Sequence, residues 1–138
     1  MKASYEYRFR VPFGDVDMMG HVNNARYLTY FETARTNVLT DLFGNFARGD
    51  VGLIIARAEI DYKSPARWND ELIVKVRPIS IGNSSFVCEY EITNTKEQKL
   101  VATGKSVQVA YDYAKDVSIP IPEKARSLLL KEIEATKD

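Results

Sequence analysis

Asn23-Asn24-Ala25-Arg26-Tyr27-Leu28-Thr29-Tyr30-Phe31-Glu32-Thr33-Ala34-Arg35-Thr36-Asn37-Val38-Leu39-Thr40-Asp41-Leu42 reads as one helix. Tyr27, Phe31, Ala34, Val38 and Leu42 recur at helical spacing and give it a single apolar face. Asn23 or Asn24 supplies the cap, because a short amide side chain accepts from the open N–H groups of a first turn. Gly44 is the expected stop. At roughly 20 residues such a helix spans about 30 Å, long for a small protein and suited to lying across a sheet.

Strand patterns flank it on both sides. Upstream, Tyr5, Tyr7, Phe9, Val11 and Phe13 alternate with polar residues, with Pro12 at the fraying end. Downstream, four segments follow: Leu53 to Tyr62, Glu71 to Ile79, Ser85 to Thr93 and Leu100 to Tyr111. In the first, Ile54, Ala56, Ala58, Ile60 and Tyr62 share one face, with Arg57, Glu59 and Asp61 on the other. In the last, Val101, Val107, Val109 and Tyr111 oppose the small residues Ala102, Gly104, Ser106 and Ala110. Asn94 to Glu97 makes a hairpin turn. Pro120 and Pro122 introduce a short helix over Glu123 to Ala135.

The order is strand, long helix, four strands, terminal helix. Short turns between consecutive strands favour antiparallel pairing, and the long helix is the one element large enough to cover a face. The expected class is α+β: an antiparallel five-stranded sheet curved around one helix, in a single domain over residues 1–138. Open sheet edges make pairing between subunits the expected remedy.

Composition narrows the function. Nineteen basic residues balance 19 acidic ones, so no basic excess marks a nucleic-acid binder. Charge interrupts the amino terminus before an apolar run develops, and no stretch reaches membrane-spanning length. One cysteine makes no internal disulfide, which fits a reducing cytoplasm. One His and one Cys exclude His-rich or Cys-rich zinc sites; no metal is expected. Gly82-Asn83-Ser84-Ser85-Phe86 lacks the closing glycine of a nucleophile elbow. Walker and dinucleotide fingerprints are absent. Chemistry is left to carboxylates, amides and the backbone.

Those groups gather in Asp15-Val16-Asp17-Met18-Met19-Gly20-His21-Val22-Asn23-Asn24. A calcium loop starting with Asp-x-Asp needs an oxygen ligand at its fifth position and Glu at its twelfth; Met19 and Arg26 stand there. An aspartyl-nucleophile phosphatase needs a larger α/β domain. Two readings stay open from composition: loop acids favoured near a helix start by its dipole, or an acyl-transfer site. In the second, unpaired N–H groups at the helix start stabilise an oxyanion, each well-placed donor contributing about 3 kcal/mol. A carboxylate just upstream attacks the carbonyl or activates water.

Phe13-Gly14-Asp15-Val16-Asp17-Met18-Met19-Gly20-His21-Val22-Asn23-Asn24, followed by Tyr27 and Tyr30-Phe31-Glu32-x-Ala34-Arg35, resembles the 4-hydroxybenzoyl-CoA thioesterase-like family of hotdog proteins. The similarity continues through Tyr62-Lys63-Ser64-Pro65, Asp70, Ser84-Ser85-Phe86 and Ile121-Pro122. The resemblance implies a hotdog fold and hydrolysis of an acyl-CoA or acyl-carrier-protein thioester, with no cofactor, coenzyme A being part of the substrate. It implies that Asp17 is the catalytic carboxylate, as nucleophile or general base, and that the Asn24 backbone N–H polarises the carbonyl. Gly20 then lets the backbone approach the acyl group, and His21, Asn23 and Tyr27 stand beside the substrate. It also implies sites formed between subunits of a homodimer or homotetramer.

Bland roles compete at several positions. Asp15 is simplest as a loop-stabilising acceptor, Asn23 as a helix cap, Tyr27, Trp68 and Cys88 as packing. His21 divides evenly between orienting the loop and touching substrate. Glu32 and Arg35 fit a surface pair, with a supporting role for Glu32 as the alternative. Where the family places a basic cluster for the nucleotide phosphates, Ile81-Gly82-Asn83-Ser84 carries no charge; Arg57, Lys63, Arg67 and Lys105 are the substitutes. Two other functions remain: an acyl-thioester hydratase or dehydratase using His21, and a non-catalytic acyl-binding or assembly module.

Overall fold

The computed structural model describes residues 1–43 and 52–138. Its elements are β1 (Tyr5–Arg10), α1 (Arg26–Phe43), β2 (Gly52–Tyr62), β3 (Glu71–Ile81), β4 (Ser85–Asn94), β5 (Lys99–Asp112), β6 (Val117–Ser118) and α2 (Glu123–Ala135). The main strands pair antiparallel in the order β1-β3-β4-β5-β2, and the two-residue β6 adds to β5. The α+β sheet-around-helix expectation therefore holds, extended by β6. The expected stop at Gly44 lies outside the described residues.

Alternation in the sequence becomes burial in the sheet. Leu72, Val74 and Val76 of β3 and Phe86, Cys88, Tyr90 and Ile92 of β4 turn one face inward, while intervening residues are half-exposed. The long helix lies on that face: Phe31 stacks on Tyr90 with ring centroids 4.4 Å apart, and Tyr30 packs against Phe9 of β1 at 4.5 Å. Of the two faces of β5, the small-residue one points in, with Ala102, Gly104, Ser106, Gln108 and Ala110 all buried. Gly104 shows why. A Cβ there would run into the Phe31 ring and stand 2.7 Å from the Glu59 carbonyl oxygen of the neighbouring strand. Small residues make the groove in which the helix sits.

Three expectations need correction. β1 stops at Arg10 rather than Phe13: Pro12 has no N–H for the ladder, the chain tightens into a 3-10 turn over Phe13–Asp15, and Phe13 emerges exposed, edge-on to Trp68. β2 is not half-buried by alternation. It bulges between Ile55 and Arg57 and is exposed along much of both faces, as a strand paired on one side only. β3 runs on to Ile81 through Pro78, with a register shift there; the last rung of β1 is at Val76, so Pro78 has no neighbour on that side needing its missing donor.

Candidate active site

The loop between β1 and α1 is a small hairpin of its own. Val16 and Val22 form an antiparallel bridge, Asn23 N–H donates to Asp15 O at 2.8 Å, and Asp17 N–H donates to His21 O at 2.8 Å. Gly20 takes φ +78° to turn it, a left-handed conformation that glycine adopts without strain. No heavy atom lies within 4 Å of where its Cβ would stand, so space before Gly20 is open in the single chain.

The two loop acids have separate environments. Asp15 is half-buried and committed: its Oδ2 accepts from the Tyr30 hydroxyl at 2.6 Å, and Oδ1 lies 3.4 Å from Arg26 Nε. Burial and this carboxylate partner drive the Tyr30 phenol well above its ordinary range. Asp15 thus ties the loop to α1, in line with its expected loop-stabilising role.

Asp17 is exposed. Its Oδ1 accepts from the backbone N–H groups of Met19 at 2.8 Å and His21 at 3.2 Å, a side chain folding its own loop. Its Oδ2 has no donor among the described residues.

The helix start carries the complementary feature. Asn23 Oδ1 accepts from Ala25 N–H at 3.0 Å and Asn23 O accepts from Arg26 N–H at 2.9 Å, so Asn23 is the cap. The Asn24 N–H has no acceptor among the described residues, and Asn24 O is held by the Tyr62 hydroxyl at 3.0 Å. Tyr27 is 3% exposed, its hydroxyl accepting from Ala66 N–H at 3.4 Å and its ring edge-on to Tyr62 at 5.2 Å. Burial is the main cause that raises its pKa; the Ala66 N–H opposes it, and the Tyr62, Asp17 and Asp70 side chains add to it. His21 is half-buried, with its backbone bridged to Arg67.

Several side chains fall elsewhere. Arg57 is taken by Glu59 at 3.0 Å; Lys63, Arg67 and Lys105 have no ion-pair partner among the described residues. Cys88 is core, its thiol pushed up to about 12 by burial. Glu32 and Arg35 form the i,i+3 pair read from the sequence, at 3.9 Å, but only Glu32 is at the surface; the Arg35 guanidinium is buried. Polar residues on the inner face, Ser106 and Gln108 among them, escaped sequence reading because alternation alone does not say which face is the core.

A sheet wrapped around one helix, with a loop carboxylate and an open N–H at that helix's start, defines a hotdog-fold protein. A family model described as the thioesterase-like superfamily matches residues 11–129, and the chain belongs to that superfamily. It is 27% identical over 116 residues to the long-chain acyl-CoA thioesterase FadM of Escherichia coli, covering 83% of this chain and 88% of that one. It is 25% identical to a 1,4-dihydroxy-2-naphthoyl-CoA hydrolase of Synechocystis, covering 88% of this chain and 91% of that one. Among solved structures, a thioesterase of Thermus thermophilus complexed with coenzyme A and Zn superposes with TM-score 0.83 at 32% identity, covering 92% of this chain and 98% of that one.

Proposed function

We propose that the chain hydrolyses an acyl-CoA thioester with Asp17 as the catalytic carboxylate and the Asn24 N–H as the carbonyl-polarising donor. The observation that carries this is the division of labour at Asp17. One carboxylate oxygen is fixed by two backbone N–H groups while the other has no partner among the described residues, on the loop that leads into a helix start whose Asn24 N–H is likewise without an acceptor among them. A thioester oxygen accepting from Asn24 N–H becomes more negative as its carbon is attacked, and the donor is then worth more than in the ground state. Either Oδ2 attacks that carbon directly, or it takes a proton from a water that does. In both routes the C–S bond breaks, the thiol leaves, and water supplies the hydroxyl of the product acid.

The site is completed by a second copy of the chain. Asp17, Met18, Met19 and Gly20 are exposed in one subunit, and β2 presents an 11-residue edge with Ile55 45% exposed. Such an edge is normally covered. His21 and Gly20 line the approach to Asp17, while Asn23 and Tyr27 hold the helix start in place. Lys63 and Arg67, on the segment bridged to His21, are the cations placed to meet the nucleotide phosphates. Among the described residues no helix is long and apolar enough to cross a membrane, and we place the reaction in the cytoplasm.

Thiol release from short, long and aromatic acyl-CoAs tests the reaction. Asp17→Asn keeps an Oδ1 acceptor for Met19 and His21, so the loop stays folded while turnover falls by about 10²–10⁴-fold. Undiminished turnover in a variant with unchanged unfolding midpoint would remove Asp17 from the mechanism. Light scattering is expected to give a dimer or a multiple of it; an active monomer would sink the two-subunit site.

A further inference from the structure

The core beneath α1 holds a charge that the loop site does not use. Arg35 is 8% exposed, and its Nη1 donates to the Tyr90 hydroxyl at 2.9 Å. That hydroxyl lies 2.5 Å from Ser106 Oγ, Ser106 donates to Gln108 Oε1, and Gln108 Nε2 donates to Phe86 O at 3.3 Å. Each of these partners is neutral near pH 7, since burial holds the Tyr90 phenol up at about 12. Among the described residues the one carboxylate near the guanidinium is Glu32, with Oε2 3.9 Å from Nη2 on a side chain 69% exposed. A buried cation is ordinarily stabilised by a close, bidentate carboxylate. Arg35 has none.

Its open side faces a cleft of ≈ 370 Å³ between α1 and β2. Glu32, Arg35, Thr36 and Gln108 are among its polar lining, and Leu39, Leu53, Ile55 and Tyr113 among its apolar lining. We propose that this cleft is the far end of the acyl pocket, where Arg35 and Thr36 bind a carboxylate at the tip of the acyl chain. The substrate class is then ω-carboxyacyl thioesters, the half-thioesters of long dicarboxylic acids. This rests on the thioesterase reading above and adds its specificity.

The distances agree with such a ligand. β2 runs beside α1 with Tyr62 bonded to Asn24 at one end and Gly52 in the cleft at the other. Arg35 follows Asn24 by 11 residues, which at the helical rise is about 16 Å. An extended chain advances about 1.2 Å per bond, so an acyl group on the order of twelve to fourteen carbons spans the groove. Its methylenes would lie between the exposed apolar side chains Leu28 and Ile55. Glu32 occupies the carboxylate's place only loosely, and its exposure leaves it room to withdraw into solvent.

Binding of two non-hydrolysable S-alkyl-CoA thioethers, one ending in methyl and one of equal length ending in carboxylate, separates the possibilities by calorimetry on the whole protein. The carboxylate-tipped analogue is expected to bind about 10- to 100-fold more tightly, and Arg35→Met to bring the ratio to about one. Should Arg35→Met fail to fold, two exposed positions carry the test. Glu32→Gln removes the competing charge and raises the ratio several-fold, and Thr36→Val lowers it by about threefold. Equal binding of the two analogues by the wild type, binding of neither, or a preference that survives Arg35→Met overturns the subsite. Hydrolysis of plain acyl-CoAs without tip preference sinks the subsite and leaves the thioesterase reading standing. Tip preference with no hydrolysis of any thioester does the reverse.

Discussion

The two halves of α1 are built on opposite terms. Around its first turn the contacts are local: a loop bonded to itself, a cap from Asn23, an Asp17 oxygen and an Asn24 N–H left without partners among the described residues. From Phe31 onward the contacts are long-range and dry: Phe31 on Tyr90, Gly104 pressed against Phe31, Arg35 buried on the Tyr90 hydroxyl. A loop bonded mainly to itself does little to seat the helix, so the dry contacts at the other end anchor it. On the proposed mechanism, chemistry and stability are thus separated along a single helix, and substitutions at the two ends should separate as well.

The largest break is expected at the anchored end. Gly104→Ala forces a methyl against the Phe31 ring and the Glu59 carbonyl, neither free to retreat, and should cost about 2–3 kcal/mol in urea unfolding. A neutral result would mean that the helix is not seated by that contact. Tyr30→Phe probes the join between the halves. It removes the donor to Asp15, leaves the carboxylate on the more distant Arg26, and should cost about 1–2 kcal/mol while loosening the loop that carries Asp17. If stability fell with turnover untouched, Asp15 would anchor α1 without steadying Asp17.

The smallest effect belongs to neither half and so serves as a control. Glu71 accepts from Thr95 and Arg8, which hold its carboxyl below the ordinary value of 4.5. A depressed folded-state pKa means that its contribution is complete above pH 4.5 and is lost as pH falls through the lower folded value. Glu71→Gln should therefore lower stability slightly at and above pH 4.5 and flatten the acid limb, the two profiles converging as pH falls through the lower folded value.

What the sequence discloses follows the same division. Period and punctuation located α1, the strands and the hairpin turns, because those patterns come from local geometry. The acids of the loop are visible as a pair and the resemblance assigns them different roles, but only the fold shows their contacts, Asp15 turned onto Tyr30 and Asp17 onto its own loop. Arg35, Ser106 and Gln108 resemble surface polar residues in sequence, since burial of a polar group depends on partners far away in the chain, here up to 55 residues apart. Phe13 misleads for a similar reason: its alternation is right and Pro12 overrules it.

Cys88 has a practical corollary. It is the lone thiol of the chain, sealed in the core and shifted up to about 12 by that enclosure, so the native protein should be silent toward disulfide reagents such as an aromatic chromogen. Coenzyme A liberated in turnover would then register against a blank background, whereas one equivalent of colour per chain, appearing without substrate, would be the signature of a subunit that has opened.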